Sequence, residues 1–100
     1  MWVDQITTNL LITIKENDNM VESVTELSKQ ACATMQITSE RVNLLERQGW
    51  VTSEYNNRVK RVYLTPKGVL LAIALQATRK LLETGLEYER FKYENMVEKI

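Results

Sequence analysis

Apolar residues recur at helical spacing in four stretches of this chain and alternate in one. Ile6, Leu10 and Ile14, with Leu11 beside them, predict an amphipathic helix over residues 4–16 opened by Asp4. Its β-branched members Ile6, Thr7, Thr8, Ile12 and Thr13 oppose that reading on propensity alone. Asn17-Asp18-Asn19 is a turn signal, and Met20-Val21 leaves room for a very short strand. A second helix starts at Ser23 or Val24. Ser23-x-x-Glu26 has the form of a capping box, and Val24, Leu27 and Ala31 lie on one face. Ala33 to Gln36 reads as a turn. The third helix is expected over residues 37–48, with Thr38 or Ser39 as cap, Ile37 as staple, Val42 and Leu45 inward, and Gly49 as its left-handed stop.

The alternating stretch follows at once. Residues 50–55 and 58–65 flank Asn56-Asn57, and asparagine tolerates the positive φ that a two-residue hairpin turn needs. Val62 and Leu64 point one way, Arg61 and Tyr63 the other. Trp50 is expected in the core. Tyr55 and Tyr63 are expected to pack on the sheet, with contact to a sugar or base as the alternative. Thr65-Pro66 then opens the last helix as N-cap and first helical residue. Leu71, Leu75, Leu82, Leu86, Tyr93, Val97 and Ile100 form its apolar stripe, widened by Leu70, Ile73, Ala77, Leu81, Tyr88 and Phe91. A helix over residues 66–99 would be about 50 Å long, more than a domain of this size can cover. Its far end therefore needs a partner. The simplest is a second copy joined through that stripe, with the N-terminal helix as a further contributor. Gly85 either permits close helix approach or marks a bend or break.

Two helices joined by a four-residue turn and followed by a hairpin make a winged helix-turn-helix, mainly α with a small β-hairpin. One domain fills residues 1–100: an N-terminal helix over 1–19, the helix-turn-helix and wing over 20–68, and the C-terminal dimerisation helix over 66–100.

The net charge of zero argues against a nucleic-acid partner until its distribution is considered. Residues 23–80 hold nine bases against four acids, while both ends are acidic. Arg58, Lys60 and Arg61 crowd beside the hairpin turn with Asn57. Folding gains nothing from gathering like charges there, whereas phosphate binding explains them; protection of an exposed strand edge is the competing explanation. On the third helix Ser39, Glu40, Arg41, Asn43 and Arg47 are expected to be exposed. Arg41 and Asn43 are the candidates for base contact, because Arg pairs bidentately with guanine and Asn with adenine. Lys29 is a further candidate for phosphate.

With no histidine and a single cysteine, Cys32, the chain lacks the residues for His-dependent catalysis and for Cys/His zinc sites. No phosphate-binding glycine loop is present, so no enzyme activity, metal or cofactor is expected. Cys32 is expected to be a buried thiol. The longest apolar run, residues 69–75, falls far short of the roughly 20 residues of a membrane span. No secretory signal is visible at the N-terminus, which leaves the cytoplasm as the expected compartment.

Leu45-Glu46-Arg47-Gln48-Gly49-Trp50-Val51, followed by Lys60-Arg61-Val62-Tyr63-Leu64-Thr65-Pro66-Lys67-Gly68, resembles winged-helix transcription regulators of the MarR and PadR type. The resemblance covers about residues 20–75. The compact size is also similar to small winged-helix proteins of archaea and of their viruses and plasmids. It implies a homodimeric, sequence-specific regulator of transcription that binds double-stranded DNA. It points to Thr38, Ser39, Arg41 and Asn43 on the recognition helix and to Arg58, Lys60 and Arg61 on the wing. The chain has little room for the extra helices that hold a ligand pocket in MarR proteins, so no small-molecule ligand is expected. A winged-helix module that binds protein instead of DNA is the alternative, favoured by the zero net charge and by Glu40 on the exposed face.

Overall fold

The computed structural model describes residues 4–98, with side chains for residues 4–85. Its elements run α1 (Gln5–Glu16), β1 (Met20–Val21), α2 (Val24–Gln30), α3 (Met35–Arg47), β2 (Val51–Asn56), β3 (Val59–Leu64) and α4 (Pro66–Glu98). The three strands form an antiparallel sheet in the order β1-β3-β2, so the hairpin expected from the sequence gains a third, two-residue strand.

Helix α1 forms despite its β-branched residues because it runs through the middle of the core. Leu10, Leu11 and Ile14 are fully buried, and packing of this kind outweighs a propensity deficit of a few tenths of a kcal/mol per residue. Around them lie Val21, Leu27, Val42, Leu45, Val51, Val62, Leu64 and Ala72, so every element contributes to one core.

The first three helices end in the same way. A residue with positive φ follows the C-cap, and the next N–H bonds back to a carbonyl five residues earlier: Asn19 to Ile14, Ala33 to Ser28 and Trp50 to Leu45, at 3.0 Å in each case. The positive-φ residues are Asp18, Cys32 and Gly49, and only the last is the residue usual at this position. Cys32 in that conformation moves the turn before α3. It spans residues 31–34, two residues earlier than expected, and α3 gains a further half-turn. Thr34, rather than Thr38 or Ser39, is the N-cap, its hydroxyl accepting from the Ile37 N–H at 3.2 Å. Cys32 itself is exposed, contrary to the expected buried thiol.

The wing turn is also displaced by one residue. Asn57 and Arg58, with φ of 51° and 69°, occupy it, and Asn56 pairs with Val59 as the last rung. The shift changes each cross-strand pair by two residues, so the faces keep their sides: Val62 and Leu64 still enter the core, opposite Ser53 and Val51. Tyr55 is 72% exposed and does not pack on the sheet.

Helix α4 is continuous through Gly85, around which there is open space. Its stripe divides between two jobs. Leu71 and Leu75, expected at a dimer interface, are partly buried against the core of this chain itself. Leu82 is 64% exposed, and Leu70, Ile73 and Leu81 are exposed off that stripe. The side chains of Leu86, Tyr93, Val97 and Ile100 lie outside the described residues. The molecule measures 66 × 25 × 23 Å with a radius of gyration of 17.3 Å, against about 13 Å for a compact chain of this length. Among the described residues no helix is long and apolar enough to cross a membrane.

Candidate nucleic-acid interface

The exposed arc of α3 carries Gln36, Glu40, Asn43, Leu44 and Arg47, with Ser39 half-buried at its edge. Gln36 lies in the first turn of the helix. Sequence reasoning missed it by assigning residues 33–36 to the turn; the threonine at position 34, a good N-cap, was the available signal. Thr38 is fully buried and donates its hydroxyl to the Thr34 carbonyl at 2.7 Å, which removes it from the exposed face.

Arg41 is turned away from that arc. Its guanidinium forms an ion pair with Asp4 and donates to the Thr7 hydroxyl at 3.1 Å, tying α3 to the start of α1. Burial pushes the Asp4 carboxyl up, but the Thr7 N–H at 2.8 Å and the Arg41 guanidinium outweigh it and bring the pKa down to about 2 from 3.8. A lowered folded-state pKa stabilises the fold above the ordinary value and ceases to do so as pH falls through the folded one. Asp4→Asn keeps the N-cap and loses the charge pair. It is expected to cost about 2 kcal/mol near pH 7, with roughly half of the difference gone by about pH 3 and nearly all by pH 2. Denaturant titrations of both proteins across that range check this.

The wing cations are also partnered. Lys60 Nζ lies 3.2 Å from Glu46 Oε1 and donates to Asn43 Oδ1 at 3.1 Å. Glu46 also accepts from the Ser53 hydroxyl at 2.7 Å, and these donors, Ser53 first, lower its pKa against the opposing effect of burial. Glu46 thus braces both wing strands against α3. Arg61 Nε donates to Glu22 at 2.9 Å, with Glu54 3.9 Å from its other arm. Glu54 in turn accepts from the Tyr63 hydroxyl at 2.7 Å, which raises the Tyr63 pKa. Arg58 at the tip, Arg47 at the end of α3 and Lys29 on α2 are exposed, and among the described residues none of them enters an ion pair.

The base of the wing is locked to the end of α3 by residues 65–68. Thr65 caps α4, accepting from the Gly68 N–H at 3.0 Å, and its hydroxyl lies 2.7 Å from the Gly49 carbonyl. Lys67 donates to the Gln48 carbonyl at 3.1 Å and sits 4.2 Å from the centroid of the Trp50 ring. Trp50 is accordingly only partly buried. Lys67 thus serves this joint; its charge is already engaged there.

No protein-family model matches the sequence, and comparison with curated proteins finds no match. Solved structures do match. Sso10a-2, a DNA-binding protein from Sulfolobus solfataricus, superposes with a TM-score of 0.74 at 19% identity over 88% of this chain and 93% of that one. MepR, a transcription regulator of the Staphylococcus aureus multidrug efflux pump MepA, gives 0.74 at 18% identity over 87% of this chain. The MarR family transcriptional regulator SPO1453 from Silicibacter pomeroyi DSS-3 gives 0.67 at 26% identity over 82%. The chain spans 65% of the length of MepR and 59% of that of SPO1453. The fold is that of a MarR-type winged helix.

Proposed function

We propose that this winged helix binds double-stranded DNA as a homodimeric regulator of transcription in the cytoplasm, with α3 in the major groove and the wing on the flanking backbone or minor groove. The observation that carries the reading is the juxtaposition of the polar arc of α3 with a wing whose tip bears Arg58. Gln36 and Asn43 have the chemistry to pair with adenine, and Leu44 offers an apolar contact to a thymine methyl. Arg47, Arg58 and Lys29 are free to meet phosphate, while Lys60 and Arg61 do so only by sharing their carboxylates. Arg41 reaches a base only by leaving Asp4, so its role here is to hold α3 in place. Sso10a-2 is described as DNA-binding, and MepR and SPO1453 as transcription regulators, which supports the reading.

Support for two copies comes from α4. The helix leaves the body near residue 80, and its remaining 18 residues extend about 27 Å beyond it. Leu81 and Leu82 begin that segment, 72% and 64% exposed, with Leu82 bordering a groove shared with Gln5 and Thr8. A two-fold pair through these segments would present two α3 helices to successive major grooves.

The phosphate role is tested by salt dependence. Arg47→Ala with Arg58→Ala removes two cations per copy and four per dimer. Binding is expected to weaken on every sequence, and the slope of log affinity against log salt to fall by about 3–4, at about 0.9 per contact. Lys60→Ala, already paired with Glu46, is expected to change the slope less. An unchanged slope in the double variant would remove the phosphate role from both residues. A protein-binding module is the second reading, favoured by the exposed carboxylates of Glu22, Glu40 and Glu54.

A further inference from the structure

Glu40 occupies the middle of the exposed arc of α3, one turn beyond Gln36 and one turn before Asn43 and Leu44. A carboxylate at this place is opposed by the DNA-binding reading, on which this inference rests, unless it meets a specific donor: phosphates repel it, and an interface that buries it unpaired pays the full desolvation cost. The fold gives it no other task. It lies too far into α3 to serve the positive end of the helix, whose orphan N–H groups are in the first turn. Arg41, its neighbour in the chain, is committed to Asp4 and Thr7, and Lys60, which bonds Asn43 of the same arc, also pairs with Glu46. The interaction Glu40 does make is with the Gln36 amide, whose Nε2 donates to Oε1 at 3.4 Å. That contact sets the two side chains together along the arc and leaves Oε2 to a partner from outside the chain.

Two groups donate hydrogen bonds in the major groove, the N4 amine of cytosine and the N6 amine of adenine. Adenine places the acceptor N7 beside its amine, which repels a carboxylate and suits an amide; cytosine offers the donor without that acceptor. We propose that Glu40 is a specificity-determining residue that accepts a hydrogen bond from the N4 amine of a cytosine in the major groove, oriented by Gln36. Where the facing base presents an acceptor, and beside phosphates, the same carboxylate is repelled, so it lowers affinity for other sequences as well as selecting the site.

The test is selection of bound sequences from a random duplex pool by the full chain and by Glu40→Ala and Glu40→Gln. Glu40 is exposed, and matched helical circular dichroism confirms that the variants are folded. The wild-type pool is expected to carry a cytosine at one position of each half-site. Glu40→Ala should lose preference at that position alone, by about 5- to 150-fold, and bind random duplex more tightly. Glu40→Gln should turn the preference toward adenine. The same base retained at every position by all three proteins overturns the proposal, as does a wild-type pool with no cytosine that responds to the variants. Duplex binding without any selected position refutes the role of Glu40 and leaves DNA binding standing. Absence of binding to any duplex removes both.

Discussion

Gly68→Ala is expected to destabilise the domain by about 3 kcal/mol or more, a large share of the 5–15 kcal/mol typical of a natural fold. A Cβ at this position would lie 1.8 Å from the Trp50 carbonyl oxygen and 2.9 Å from its carbon, with Leu64 Cδ2 at 3.3 Å. The first two neighbours are backbone and cannot rotate away. Relief therefore requires α4 to lift from the end of α3 that Thr65 and Lys67 hold against it. The expected fall in Tm is roughly 12–24 °C. Gly85→Ala is the internal control, the same substitution in the same helix with nothing within 4 Å. There alanine should be neutral or stabilising by up to about 1 kcal/mol. Equal stability of the two variants would mean that α4 does not seat on Trp50 as described.

The second large effect concerns assembly. Leu81→Asp with Leu82→Asp places two charges on the first exposed turn of the projecting half of α4, beyond the core of the protomer. Folding should survive. Wild type is expected to sediment at twice the 11.7 kDa mass of one chain and the double variant at that mass. Its affinity for a duplex carrying two half-sites should fall by about 10²- to 10⁴-fold, because the second half-site is no longer bound as an intramolecular event. A wild-type protein that sediments as a monomer at micromolar concentration would contradict the dimer.

Local signals in the sequence located most of the fold. Ser23, Asn17 to Asn19, Gly49 and Thr65-Pro66 act through their own backbones or their nearest neighbours, and the elements they delimit lie where they indicate. The errors fall where a residue adopts a conformation its type disfavours. Cys32 and Arg58 both take positive φ, which shifted the turn before α3 and the tip of the wing. The exposed arc of α3 was legible in Asn43 and Arg47, since helical spacing from Val42 and Leu45 places them outward. The same spacing sets Arg41 one turn before Leu45, at the inward edge; what was not legible is its partner Asp4, 37 residues away in the chain. Nor were the partners of Lys60 and Arg61 legible, whose charges are met by Glu46 and Glu22 only once the sheet has closed. The Leu64 to Gly68 sequence, read first as a family signature, has a physical meaning: each of Thr65, Lys67 and Gly68 fastens α4 and the wing to the end of α3.

Binding of duplex DNA by this chain is the property on which the other expectations rest. It is tested most directly by titrating the full chain into a labelled random-sequence duplex about three helical turns long at low salt, read by fluorescence anisotropy. Saturable binding at micromolar protein or below, with log affinity falling linearly against log salt, is the predicted result. No change in anisotropy at tens of micromolar protein would contradict it and turn the exposed carboxylates and the polar arc of α3 toward a protein partner.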